Sequence, residues 1–172
     1  YPPGIGVPEL RNAVRDHQQR FYGLEFDPDT EILVTAGASE ALAASVIALC
    51  ETGDEVVTFE PWYDIYGANI AMAGATKKVV TLRPPHYAFE ESEFLAALSP
   101  KTRLILLNTP HNPTGKVFSR EELEFIANVA IERDLLVVTD EVYEHLVFEG
   151  EHIPIASLPG MRERTITISS GG

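Results

Sequence analysis

Cationic side chains are scarce in this chain of 172 residues. Thirteen Lys and Arg stand against 26 Asp and Glu, a formal net charge of −13. Nucleic acid is bound through clustered Lys and Arg, so a nucleic-acid partner is not expected. No block of five like charges occurs, and the acidity reads as a solubilising surface. No apolar run is long enough to span a bilayer, and the most apolar helical stretch, Ala41 to Cys50, stops at Glu51. The amino end, Tyr1-Pro2-Pro3-Gly4, is neither basic nor apolar and shows no signal peptide. The single cysteine, Cys50, forms no internal disulfide, which fits a reducing, cytoplasmic setting, and it reads as a core residue. His17, His111, His145 and His152 do not stand at metal-ligand spacing, so no metal is expected. No G-x-G-x-x-G follows the first predicted strand and no Walker sequence occurs, which ranks a nucleotide-binding α/β domain last.

What the chain does have is an alternation of short β-like apolar runs with amphipathic helical stretches. Helices are predicted over Pro8 to Tyr22, Ser39 to Cys50, Tyr63 to Ala73, Glu90 to Leu98 and Ser119 to Arg133. Leu10, Val14 and Phe21 fall near one face of the first, and Gly23 suits the position just past its end. Ser119 followed by Glu122 is a capping box at the start of the last. Strands are predicted over Glu31 to Ala36, Glu55 to Phe59, Lys77 to Leu82, Arg103 to Leu107, Leu135 to Thr139 and Thr165 to Ser169. Strands separated by helices indicate a mainly parallel sheet covered on both faces, a three-layer αβα architecture. Leu104 to Leu107 and Leu135 to Val138 are apolar at every position, as central parallel strands require. No linker divides the chain.

Open α/β sheets place ligands at the carboxyl ends of their strands, and five segments there carry chemistry. Asn108-Thr109-Pro110-His111-Asn112-Pro113-Thr114-Gly115-Lys116 follows the run Arg103 to Leu107, with two prolines stiffening the loop that carries Asn112. Lys116 reads as solvated. Thr35-Ala36-Gly37-Ala38-Ser39 leads through small residues into a helix whose first amides would favour an anion. Trp62 and Tyr63 follow a strand, where an aromatic ring either stacks on a flat ligand or packs in the core. Asp140 closes the run Leu135 to Val138; it is either a helix cap or a carboxylate that needs a cationic partner, with Tyr143 three residues on. Ser169-Ser170-Gly171-Gly172 offers small hydroxyl residues after the last strand. Glu90-Glu91 and Glu121-Glu122 read as solvated helix starts.

Taken in order, YPPGIGVPELR, TAGASEAL, EPWYDIY, NTPHNPTGK, TDEVYEHL and TITISSGG resemble the class I/II aminotransferases, fold type I enzymes that use pyridoxal 5'-phosphate (PLP). The resemblance runs the length of the chain and implies the central part, residues 1–172, of a large PLP-binding domain. It implies that Gly37, Ala38 and Ser39 bind the cofactor phosphate with help from Ser170, and that Tyr63 stacks on the pyridine ring. Asn112 and Tyr143 would hydrogen-bond the ring's phenolate oxygen, and Asp140 would pair with the protonated ring nitrogen. The Asn112–Pro113 bond is often cis in the family. Tyr1 matches a tyrosine that reaches the phosphate in the neighbouring subunit of a homodimer. The lysine that holds the cofactor as a Schiff base is expected directly after Gly172; Lys77, Lys78, Lys101 and Lys116 do not stand at its place, and the segment without it is expected to be inactive.

The implied activity moves an amino group between an amino acid and a 2-oxo acid such as 2-oxoglutarate, with details similar to N-succinyldiaminopimelate and kynurenine or glutamine aminotransferases. Two other readings of the same fold stay open. One is a PLP-dependent carbon–sulfur β-lyase, which would release pyruvate and ammonia without an amino acceptor. The other is the aminotransferase-like effector domain of a transcription regulator.

Overall fold

The computed structural model describes residues 3–171. Five strands form one sheet: β1 (Glu55–Glu60), β2 (Thr76–Thr81), β3 (Thr102–Asn108), β4 (Leu136–Asp140) and β5 (Thr165–Ile168), in spatial order β2-β1-β3-β4-β5. Every pairing is parallel. The helices are α1 (Pro8–Tyr22), α2 (Ala38–Leu49), α3 (Ile65–Met72), α4 (Glu91–Ala97) and α5 (Arg120–Glu132), with 3-10 turns at Ile155–Ser157 and Arg162–Arg164.

Strand alternation divides the core in two. Val57, Phe59, Ile105, Leu107 and Val137 face α4 and α5, where they meet Phe94, Leu123, Ile126 and Ala130. Val56, Leu104, Leu106, Val138 and Ile168 face the other way, onto Leu42 and Val46 of α2 and Tyr66 and Ile70 of α3. Side chains of successive strand residues point to opposite faces, so a strand apolar at every position must be covered twice. This is the expected three-layer αβα fold. Each fully buried Leu or Ile contributes about 1.5–3 kcal/mol relative to exposure, which ties the helices to the sheet. Cys50 belongs to the second of these clusters, and burial pushes its thiol up to about 11. No helix among the described residues is long and apolar enough to cross a membrane.

Two expectations change. Glu31 to Ala36 is not a strand: its one backbone bond to a distant segment is Val34 N–H to the Ile5 carbonyl, its other bonds are local turns, and Leu33 is 61% exposed. The segment has strand-like residues but no partner strand among the described residues, and an extended segment needs a ladder to be a strand. Gly6 lies so close to Val34 that a Cβ there would stand 2.5 Å from it. The other change is α3, which starts at Ile65 rather than Tyr63, leaving Trp62 and Tyr63 in the loop before it. On α1, Leu10, Val14 and Phe21 stay exposed, while Arg11 is buried and donates to Gly6, Pro28 and Asp29.

Candidate active site

Asp140 ends β4 and is in register with Asn108 at the end of β3 and Ile168 at the end of β5. It is only 4% exposed. The Tyr66 hydroxyl donates to its Oδ2 at 2.6 Å, and the Val142 N–H donates to Oδ1 at 3.3 Å. Burial raises the Asp140 pKa, and these two donors oppose that rise. No Lys, Arg or His among the described residues forms an ion pair with it. A buried carboxylate held by neutral donors is suited to a cationic ligand atom, because desolvation without a counter-charge is costly.

Asn108 links this carboxylate's strand to the next loop. Its Nδ2 donates to the Asp140 carbonyl at 2.9 Å and to the Pro110 carbonyl at 3.2 Å, and its Oδ1 accepts the Asn112 N–H at 2.7 Å. The loop is closed by His111 N–H to the Lys116 carbonyl and Gly115 N–H to the His111 carbonyl. Thr109–Pro110 and Asn112–Pro113 are both cis. Asn112 and Tyr143 line one hollow of about 230 Å³ with Pro110, Pro113 and Leu146.

His111 is buried beneath that loop with Nδ1 2.8 Å from Thr114 Oγ1. Burial, and then the neighbouring Lys116, push its pKa down to about 4. Lys116 is not solvated as expected. Its side chain is 8% exposed, its Nζ is 2.8 Å from Glu122 Oε1, and it lies over the Phe118 ring. Glu122 is not simply solvated either: its Oε2 accepts the Ser119 N–H, completing the capping box with Ser119 Oγ.

The two aromatics after Pro61 separate. Trp62 packs against the α2–α3 cluster with Lys77 Nζ 3.4 Å from its ring centroid. Tyr63 is 41% exposed and meets Tyr66 edge-on at 5.9 Å. Core packing therefore takes Trp62 and leaves the Tyr63 ring accessible beside the Tyr66–Asp140 pair. Burial, and then Asp140, raise the Tyr66 pKa well above the tyrosine range, so its hydroxyl stays a donor.

Gly37 precedes α2 at φ 83°, a conformation that favours glycine, and no side chain caps the helix. The first amides of Ala38 and Ser39 thus have no intrahelical partner. Glu40 turns back to accept the Ala36 N–H. α2 ends at Leu49, shortly before β1 starts at Glu55, so its carboxyl end lies at the amino edge of the sheet and its start at the edge that carries Asp140. Ser170 stands two residues past the end of β5, on that same edge. Tyr1 lies outside the described residues.

Asn112 and Tyr143 share one hollow, Asn108 links Asn112 to the Asp140 carbonyl, and Tyr63 meets the Tyr66 that donates to Asp140, while Gly37, Ala38, Ser39 and Ser170 lie on the same edge. Sequence reasoning missed Tyr66, which reads as core, and Asn108, whose role needs the register of β3 against β4. It also missed a contact between His17 and His145, 128 positions apart, whose Nε2 atoms lie 2.7 Å from each other.

The family model for aminotransferase class I and II matches residues 1–172. The chain belongs to the class I and II aminotransferase family. Among solved structures of aminotransferases, that of N-succinyldiaminopimelate aminotransferase from Mycobacterium tuberculosis superimposes with a TM-score of 0.95 at 50% identity, covering 99% of this chain and 45% of that one. The methionine aminotransferase YbdL of Escherichia coli gives a TM-score of 0.97 at 42% identity, covering 100% of this chain and 46% of that one. Kynurenine–oxoglutarate transaminase 1 of Rattus norvegicus is 41% identical over 184 residues, covering 100% of this chain and 44% of its own length. The chain thus spans less than half the length of these aminotransferases.

Proposed function

We propose that this chain is the central part of the large domain of a PLP-dependent aminotransferase, which moves an amino group between an amino acid and a 2-oxo acid such as 2-oxoglutarate. The observation that carries this reading is Asp140: a buried carboxylate at a strand end, held by Tyr66 and Val142 and without a cationic partner among the described residues. A protonated pyridine nitrogen supplies the missing charge. The uncapped start of α2 fits a phosphate in the same way, since free amides at a helix start favour an anion.

In this reading Ala38, Ser39 and Ser170 hold the phosphate, and Gly37 provides the turn that frees the amides. Tyr63 covers one face of the ring, and Asn112 and Tyr143 bind its phenolate oxygen. The cofactor-binding lysine belongs directly after Gly172, and Tyr1 reaches the phosphate of the neighbouring subunit of a homodimer. The bound cofactor supplies an electron-accepting ring for the pair left when the substrate's α-proton departs. Asp140 holds a proton at the ring nitrogen, where the interaction strengthens as the ring accepts charge. Tyr66 orients that carboxylate and counters the burial that would neutralise it. Asn108 fixes Asn112 relative to Asp140 through its three hydrogen bonds.

The test is Asp140→Ala in the intact enzyme. We expect α-proton removal in single turnover to fall by about 10²–10³-fold, as for loss of a preorganised electrostatic group, with cofactor still bound. Unchanged turnover would remove Asp140 from the mechanism. Pyruvate and ammonia formed without a 2-oxo acid acceptor would assign the β-lyase reaction instead.

A further inference from the structure

We propose that His17, Glu144 and His145 form a divalent-metal site suited to Zn²⁺, separate from the Asp140 carboxylate. One ligand atom from each residue lies within 4.8 Å of the other two. His17 comes from α1, and Glu144 and His145 come from the turn after β4, so the cluster joins two segments distant in sequence. Two imidazoles and a carboxylate are the donors zinc takes in sites that keep a fourth position for water.

Glu144 is the built part of the site. It is 8% exposed, and its Oε1 accepts the Ser169 hydroxyl at 2.5 Å. Its Oε2 is buried with no hydrogen-bond partner. No Lys or Arg among the described residues pairs with it. The neighbouring Tyr22 hydroxyl is a neutral group and brings this carboxylate no counter-charge. A buried carboxylate with two imidazole nitrogens nearby is suited to a cation. The Ser169 hydroxyl orients the carboxylate from outside, the kind of support that metal-binding carboxylates use.

The two Nε2 atoms stand 2.7 Å apart, as one N–H···N bond. Tetrahedral zinc with bonds of 2.0–2.1 Å separates two ligand nitrogens by about 3.3 Å, so the rings need to part by about 0.6 Å, within the freedom of exposed and half-buried side chains. Cys50, a competing soft ligand, is buried elsewhere. The bound ion would clamp α1 to the turn that begins at Asp140 and carries Tyr143.

The experiment is calorimetric titration of Zn²⁺ into the intact protein, metal-stripped and without a histidine tag, with Co²⁺ as an optical probe. We expect one Zn²⁺ per chain, visible d–d bands with Co²⁺, and a rise in melting temperature. His17→Gln and His145→Gln, at positions that are not buried, should each weaken binding by at least ~10-fold and abolish the rise. Glu144→Gln should do the same where circular dichroism shows it folded. Stoichiometric binding left unchanged in both histidine variants would place the ion elsewhere and overturn the proposal, as would no heat and no cobalt bands.

Discussion

The Tyr66 hydroxyl donates to Asp140 Oδ2 at 2.6 Å across a buried contact between α3 and β4. The bond sets the direction of a carboxylate whose surroundings favour the neutral acid. Tyr66→Phe removes the donor and keeps the ring, so the pKa of Asp140 should rise further. A hydrogen bond to a charged group is worth about 1.5–3 kcal/mol, or roughly 10–100-fold in a step that needs the charge. In the intact enzyme, kcat should fall by that amount and the acid limb of kcat/KM should move to higher pH. A lowered kcat with an unmoved acid limb would assign Tyr66 to packing alone.

Asn108→Ala should cost about 2–4 kcal/mol. It leaves the Pro110 carbonyl and the Asn112 N–H without their partner and takes one of two donors from the Asp140 carbonyl, which keeps the Thr109 N–H, and unsatisfied groups carry most of such a penalty. Urea unfolding should show a lower midpoint at unchanged slope. Asn108→Asp retains the acceptor but buries a charge, and should be no better than Ala.

His111 makes stability depend on pH. Its folded pKa, about 4, lies below the ordinary 6.5. The unfolded chain therefore takes up the proton first, and stability present above pH 6.5 is lost as the pH falls towards 4. Between pH 7 and 5 the loss from this residue is about 2 kcal/mol. Denaturant unfolding at the two pH values should show a drop that is smaller by that amount in His111→Gln. An equal drop in both would mean that His111 is protonated in the folded chain.

Glu122 and Lys116 should respond asymmetrically. Glu122→Gln keeps the side-chain oxygen for the Ser119 N–H but leaves a buried ammonium unpaired, at about 3 kcal/mol, the low end for a broken buried pair because Glu122 is partly exposed. Lys116→Met keeps the apolar stem against Phe118 and removes that charge, while Glu122 retains its capping contacts; its cost should be within about 1 kcal/mol. Thermal unfolding of the two variants side by side decides it.

Much of the fold was legible because the physics that forms it is local. The bounds of α1 follow from Pro8 and Gly23, and the start of α5 from Ser119 and Glu122. The uninterrupted apolar runs of β3 and β4 announced a sheet covered on both faces. What stayed hidden depends on partners. Glu31 to Ala36 carries strand residues, but a strand exists only against another. Lys116 looks like any loop lysine until the fold closes over it. Tyr66 sits at a core position of a helix, and only the third dimension turns its hydroxyl to Asp140. The strand-end residues Asn112, Asp140 and Tyr143 could be named from motifs; that Asn108 connects them could not, because it depends on register.

Asn108, Asp140 and Ile168 end three neighbouring strands level with one another. This makes the sheet edge a ruler for anyone rebuilding the protein. One residue inserted inside β3 would carry Asn108 past Asp140 and turn it to the opposite face. Residues added in the loops at 83–90 or 146–152 leave the ruler unmoved. Length changes in surviving variants should therefore collect in those loops, and new ligand preferences are best sought there, with the strands kept at constant length.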